Sequence, residues 1–306
     1  MRNTVINELT RMAQTDDRMV LMTGDLGYSV LEGFEKNFPE RYINAGIAED
    51  GMTSVAAGIA LSGKIVFTYS IGNFNTLRCM EQLRNDVCYH QANVKVLSVG
   101  GGFSYGQLGM SHHSTEDIAM MRELPHMRVY VPADPEEAVA ALHDAVAYSG
   151  PCYIRIAKRG EPNLYAKGSS YDVTQIHELR AGTDVCLLGC GPMLGEVCKA
   201  ADLLYTEGIS TAVYSVPCIK PLDTASIKKL ATRAELLVTV EEHQNIGGLG
   251  GAVAETVSAL RGIRAPLLRL GLNDEFTSIV GSHDYLCEQY GLSARCIAAR
   301  VREALA

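Results

Sequence analysis

Asn44-Ala45-Gly46-Ile47-Ala48-Glu49-Asp50-Gly51-Met52 decides the reading of this chain. It has the form of a strand end, a short turn and the first turn of a helix, with a carboxylate placed at the junction. Small residues follow (Ser54, Ala56, Ala57, Gly58, Ala60) and would let the new helix pack close to its neighbours, enclosing the acid. The simplest role for Glu49 is to complement the helix dipole. A buried acid with a chemical task is the other.

The same alternation of strand and helix runs outward in both directions. Short apolar, β-branched runs at 20–23, 64–68, 94–99 and 152–156 read as strands. Helical periodicity falls between them at 4–14, 51–61, 76–89 and 135–148. Nearly continuous apolar strands separated by helices predict a parallel sheet covered on both faces. A polar stretch without period follows, and the pattern then restarts. Strands are expected at 184–188, 210–216, 236–240 and 266–270, with helices at 194–205, 224–232 and 251–260. The expected organisation is α/β throughout: a parallel-sheet domain over 1–165, a linker over 166–182 and a smaller α/β domain over 183–306.

Composition narrows the function. The 306 residues carry 47% hydrophobic and 20% charged side chains, ordinary for a soluble globular protein, with a net charge of -8. No basic stripe offsets that charge, which argues against a nucleic-acid surface. No apolar run approaches the ~20 residues of a membrane span, and no signal-peptide pattern opens the chain. The 9 cysteines include no C-x-x-C pair, so reduced thiols in a cytoplasmic protein are expected. His112 and His113 are adjacent and do not have zinc-ligand spacing.

Further motifs stand in a telling order: Gly24-Asp25-Leu26, Gly46-Ile47-Ala48-Glu49, Glu81-Gln82-Leu83-Arg84-Asn85 and Gly109-Met110-Ser111-His112 in the first half. Val131-Pro132-Ala133-Asp134, Ile219-Lys220-Pro221-Leu222-Asp223 and Gly247-Gly248-Leu249-Gly250 follow. Together they resemble the C-terminal half of the transketolase superfamily, a thiamine-diphosphate pyrimidine-binding domain followed by a transketolase C-terminal domain. The resemblance spans essentially the whole chain and is similar to the small subunit of two-chain transketolases.

That resemblance implies roles. Glu49 matches the acid that bonds a ring nitrogen of the cofactor's aminopyrimidine and drives it to the imino tautomer, so that the thiazolium proton can be removed. Such an acid needs burial to tune it. Phe74 matches the aromatic that stacks on the pyrimidine, offset stacking being worth roughly 0.5–1.5 kcal/mol; Tyr69 is the next candidate, and Asp25 would help hold the site. His112 matches the histidine that faces the substrate's oxygens. Arg2, Ser29 and Arg159 match positions that grip a sugar phosphate, with Lys158 or Arg155 as substitutes for Arg159.

The chain also departs from the family. A second loop histidine falls on Gly100, and the acid that reads the donor's α-hydroxyl falls on Leu108. The run Gly100-Gly101-Gly102 is therefore expected to leave room for a bulkier acceptor. The Gly-Asp-Gly motif that anchors the diphosphate through Mg²⁺ (or Ca²⁺) is missing from the sequence. Another chain is expected to hold that ion, in a two-plus-two heterotetramer. The expected activity is transfer of a two-carbon ketol unit between sugar or sugar-phosphate substrates. Alternatives are the β-subunit of a 2-oxo-acid decarboxylating enzyme, a deoxyxylulose-phosphate synthase-like enzyme, or a non-catalytic assembly partner.

Two remaining segments read as structural. The glycines at 247–251 suit a tight turn with close helix packing rather than an anion site. Glu241-Glu242-His243 should point in different directions, toward solvent or an interface.

Overall fold

The computed structural model describes residues 1–158, 161–262 and 264–306. In the first half six strands form, β1 (Met19–Thr23), β2 (Tyr42–Asn44), β3 (Ile65–Ile71), β4 (Val94–Val99), β5 (Arg128–Tyr130) and β6 (Cys152–Ile156). The second half contributes β7 (His177–Arg180), β8 (Val185–Gly189), β9 (Thr211–Ser215), β10 (Cys218–Lys220), β11 (Leu236–Gln244) and β12 (Leu267–Leu272). The first sheet has the order β10-β5-β6-β4-β3-β1-β2, and the second β12-β11-β8-β9-β7. Every pairing is parallel except the two edge strands β10 and β7.

The central strands β1, β3, β4 and β6 are buried along almost their whole length. This explains why they read as continuous apolar runs. One apolar cluster lines a face of the first sheet through Val20, Met22, Val66 and Val96 and continues into the second through Cys186, Leu188 and Leu237. The opposite faces have their own cores, around Phe34, Phe67 and Ile154 and around Leu187, Leu204 and Ile297. No described helix is long and apolar enough to cross a membrane. All nine cysteines are free, and seven are buried.

The two halves interlock. β10 lies in the second half of the sequence, yet it pairs with β5 at the edge of the first sheet. Arg155, 4% exposed, donates to Asp117 and to the carbonyls of Ser114 and Glu242. Strand β7 lies inside the stretch expected to be a linker. The helix expected from Thr76 begins at Met80 and continues as a π-helix, Leu83–Cys88. Residues before it are diverted by their side chains: Asn75 donates to Leu97 O, Thr76 to Gly72 O and Asn73 to Ser111 O and His113 O. Those bonds compete with helix formation and fix the turn that carries Phe74 and Arg78.

Candidate active site

Glu49 opens the helix Glu49–Leu61 and is 1% exposed. Its carboxylate does not serve the helix N-terminus. Ser70 Oγ donates to Oε1 at 3.0 Å, and Arg78 Nη1 lies 2.5 Å from Oε2. The neighbouring acid Asp50 is the one that accepts a first-turn N–H, from Gly51. The dipole role thus fits Asp50, and Glu49 is aimed elsewhere.

The enclosure of Glu49 differs from the expectation. Ala56, Ala57 and Ala60 are buried, but Gly51, Ser54 and Gly58 face outward, and a Cβ on either glycine would meet nothing within 4 Å. Closure comes instead from Gly24 at the end of β1, where an added Cβ would lie 3.0 Å from Oε1 of Glu49. Ser70 and Arg78 complete it. Sequence reasoning passed over all three, although Gly24 and Arg78 stand within or beside quoted motifs.

Phe74 is half-buried in the turn after β3. The Arg78 guanidinium lies over its ring at 4.6 Å, and the His112 ring meets it edge-on at 5.2 Å. His112 in turn lies 6.1 Å from Tyr105, whose ring carries the Lys158 ammonium at 4.3 Å. A continuous line of contacts thus joins Glu49, Arg78, Phe74, His112, Tyr105 and Lys158. Burial first, then the charges of His113 and Lys158, hold His112 below the usual imidazole range, which favours the neutral ring at neutral pH. Its Nδ1 pairs with Ser111 Oγ at 3.0 Å, leaving Nε2 for other partners.

Tyr69 lies on the other side of β3 from Glu49. Ser70 faces Glu49, so the preceding residue on β3 points to the opposite face, where Tyr69 packs with Leu31 and Phe67. Burial pushes its hydroxyl well up, while Arg2 pulls it back; Arg2 acts on Tyr105 in the same sense. Arg2 is therefore near both phenols, and its Nε is buried with no hydrogen-bond partner among the described residues. An unpaired, buried guanidinium N–H is the kind of group an anionic oxygen satisfies.

The other anion candidates divide. Arg155 is used up inside the fold, held by Asp117 and two carbonyls. Ser29 has a left-handed backbone (φ 63), and its N–H is taken by the Glu32 carboxylate at 2.6 Å, an acid where a phosphate would need a donor. Lys158 stays with the site. Arg159 lies outside the described residues. Asp25 is exposed at φ 56 and accepts from Asn44 at 2.9 Å; its bonds support the turn beside Gly24 and do not reach Glu49.

The glycine run does not leave space. A Cβ on Gly100 would lie 2.1 Å from the Tyr105 ring, one on Gly101 2.4 Å from Arg155 Nε, and one on Gly102 2.3 Å from the Glu242 carboxyl carbon. Each glycine admits a neighbouring side chain, and the place vacated at Gly100 belongs to Tyr105. Leu108, by contrast, is 54% exposed at the rim.

The remaining motifs are internal supports. Glu241 accepts from the N–H groups of Leu249 and Gly250 at 2.6 and 2.7 Å, so the glycine turn does receive an anion, supplied by its own chain. Glu242 points away from its neighbours as expected, but Glu241 and His243 share a side, His243 Nδ1 lying 3.9 Å from Glu241 Oε2, and all three are buried rather than facing solvent. Glu242 accepts from Phe103 N at 2.6 Å and pairs with His283 at 3.0 Å. With Cys287 this pair forms the described grouping that could hold a metal, one the adjacent-residue reading missed because it closes only in three dimensions. His113 is structural, with Nδ1 on Thr277 at 2.6 Å and Nε2 on Gly106 O at 3.1 Å.

Comparison with known proteins agrees with this architecture. Residues 1–162 match the family model of the transketolase pyrimidine-binding domain, and residues 174–297 that of the transketolase C-terminal domain. A putative transketolase C-terminal section of Methanocaldococcus jannaschii is 37% identical over 96% of this chain and 93% of its own length. A 6-deoxy-6-sulfo-D-fructose transketolase subunit from a Clostridium species is 36% identical over 99% of the chain and 94% of its own length. One subunit of an apulose-4-phosphate transketolase of Phocaeicola vulgatus is 34% identical, over 95% and 93%. 1-Deoxy-D-xylulose-5-phosphate synthases also match, the chain spanning about 45% of one from Heliobacterium modesticaldum. Among solved structures, a split-gene transketolase described as an inactive β4 tetramer superposes with a TM-score of 0.88 at 36% identity, covering 99% of this chain and 97% of that one. The chain belongs to the transketolase family and corresponds, over its length, to the C-terminal subunit of its split members.

Proposed function

We propose that this chain is the pyrimidine-binding subunit of a thiamine-diphosphate transketolase that moves a two-carbon ketol unit between anionic sugar substrates. The observation that carries the reading is the buried Glu49 carboxylate, fixed by Ser70 on one oxygen and turned toward the Phe74 face with the other. These residues fit an aminopyrimidine. A planar cationic N–H donor, the Arg78 guanidinium, already bonds that oxygen and covers that ring. When bound, the cofactor supplies the carbon nucleophile that breaks and makes the ketose carbon–carbon bond.

The protein's own part follows from its side chains. Glu49 offers Oε2 to the ring nitrogen and holds or returns a proton there, while Ser70 fixes the carboxylate plane. Phe74 supports the ring face. Neutral His112, with Nε2 unengaged by Ser111, donates to or accepts from the substrate's reacting oxygens. Arg2 and Lys158 take the distal anion. The relatives' names carry a sulfonate in one case and a phosphate in another, and both groups present the oxygens that an arginine binds.

The diphosphate, with its Mg²⁺, is held by a separate chain, because the Gly-Asp-Gly anchor is missing from this sequence. Assembly is two-plus-two. Calorimetry tests the division. The chain alone should bind thiamine diphosphate very weakly and show no turnover, and a co-purified partner carrying the anchor should restore both. Micromolar affinity of the isolated chain would overturn the split site. Product analysis with pyruvate against a ketose phosphate separates the transketolase from a synthase.

A further inference from the structure

Arg78 stands in the middle of the proposed pyrimidine seat. It leaves the irregular turn between Phe74 and the helix at Met80, and its side chain is 43% exposed. Its head makes two contacts among the described residues: Nη1 to Glu49 Oε2 at 2.5 Å, and the guanidinium plane over Phe74 at 4.6 Å. Those are the two contacts an aminopyrimidine needs from this chain. A guanidinium and an aminopyrimidine share the planar N–C–N unit with outward N–H groups. Neither can use Oε2 and the Phe74 face while the other does.

We propose that Arg78 is a resident stand-in for the cofactor's pyrimidine ring, which keeps the seat formed before the cofactor enters and is displaced outward when it does. The inference rests on the Glu49 and Phe74 reading above. Without Arg78, a carboxylate that is 1% exposed would keep only Ser70 as a partner among the described residues, a costly arrangement for a buried charge. With it, the acid stays paired and the phenyl ring stays in place. Arg78's half-exposed stem gives it a way out, and the ring that replaces it inherits a seat of the right shape. The consequence is competition: apparent cofactor affinity is reduced by the fraction of molecules in which Arg78 is seated.

Two measurements with opposite signs test this, which a merely structural arginine would not produce. In the complex assembled with the partner chain, Arg78→Ala should bind thiamine diphosphate with Mg²⁺ about fivefold more tightly by calorimetry, the fold-change of one partly exposed ion pair. The isolated Arg78→Ala chain should melt at a lower temperature than wild type. Arg78→Lys, which keeps the charge and loses the flat fork, should fall between the two in affinity. Equal or weaker cofactor binding by Arg78→Ala would overturn the proposal and make Arg78 a cofactor ligand or a bystander. Unchanged affinity in Glu49→Gln and Phe74→Ala would overturn the seat itself, and the proposal with it, a result distinguishable because it does not involve Arg78.

Discussion

Ser70 donates its hydroxyl to Oε1 of Glu49 at 3.0 Å across the gap between β3 and the helix that Glu49 begins. The bond fixes the carboxylate plane, so that Oε2 faces the Phe74 side. Glu49→Gln keeps this shape and removes the acid function. Turnover of the assembled enzyme should fall by at least ~10²-fold, as for loss of a positioned acid–base group, with folding little changed. Exchange of the cofactor's C2 proton, followed by NMR, is the direct check; a wild-type rate in the variant would show that Glu49 is not the activator. Ser70→Ala should cost less, about tenfold, near the low end for one hydroxyl hydrogen bond to a charged acceptor.

Arg2 has a buried Nε with no hydrogen-bond partner among the described residues and lies near Tyr69 and Tyr105. Arg2→Ala should raise KM for a phosphorylated donor much more than it lowers kcat, the mark of uniform binding. The penalty should shrink for the unphosphorylated sugar. Arg155→Ala should instead yield poorly folded protein, since it strips the cationic partner from buried Asp117 and leaves only the Tyr153 hydroxyl on it among the described residues. Equal KM for the two donors in wild type would assign Arg2 to the fold.

The α/β architecture and most strands were legible because fully buried parallel strands leave unbroken apolar runs. The three-residue strands β2, β5 and β10 leave no such run, and β2 showed only as the strand end at Asn44. β10 could not be read at all, since its partner β5 lies about ninety residues away and pairing is a tertiary event. The terminal helices His283–Gln289 and Ala294–Leu305 also went unread. At the site, Glu49 and His112 were visible within ordered motifs, and Phe74 through the family resemblance. Gly24 stood in a motif without a role, and Ser70, Arg78 and Tyr105 were not read, because each acts through a distance. A glycine's lack of a Cβ has meaning only once the atom it makes room for is known, as with Gly24 and Glu49. The same blindness produced the error at Gly100, where missing side chains were read as free space and Tyr105 fills it.

That correction reverses the expectation for acceptor size. With the Tyr105 ring seated over Gly100, the wild-type enzyme should be no more tolerant of bulky acceptors than other transketolases. Tyr105→Ala should open the space, and kcat/KM for an acceptor one or two carbons longer should rise relative to a short one. Gly100→Ala should act differently: it puts a methyl into the ring and forces a side chain onto a backbone at φ +87, a conformation costing ~1–2 kcal/mol for a non-glycine residue. Melting temperature and acceptor profile, measured on both variants, separate the roles. An unchanged acceptor profile in Tyr105→Ala would place the acceptor elsewhere.

Glu242, paired with His283, joins the two halves of the chain through Phe103 N, and the ionisation of the pair should appear in the stability curve. Glu242 is 3% exposed and receives Phe103 N from the first half, while His283 comes from a helix near the C-terminus. Asp284, Cys287 and Arg155 complete the charged and titratable surroundings. The Glu242 carboxylate raises His283 from 6.5 to about 12. A base with a raised folded pKa binds more protons folded than unfolded at intermediate pH, so its contribution is complete below pH 6.5 and declines as pH rises from there toward about 12. Glu242 itself is held below its ordinary value of 4.5, with His283 the leading cause opposing burial, so its contribution is present above that value and is lost as pH falls through the lowered pKa. The pair should stabilise most between about pH 4.5 and 6.5. In Glu242→Gln the loss of melting temperature relative to wild type should be largest in that window and shrink steadily toward pH 10. Its size near pH 6 should exceed the ~1 kcal/mol of a surface pair, because Glu242 is buried. A difference between variant and wild type that stays constant from pH 6 to 10 would mean that the carboxylate stabilises the junction through the Phe103 N–H alone.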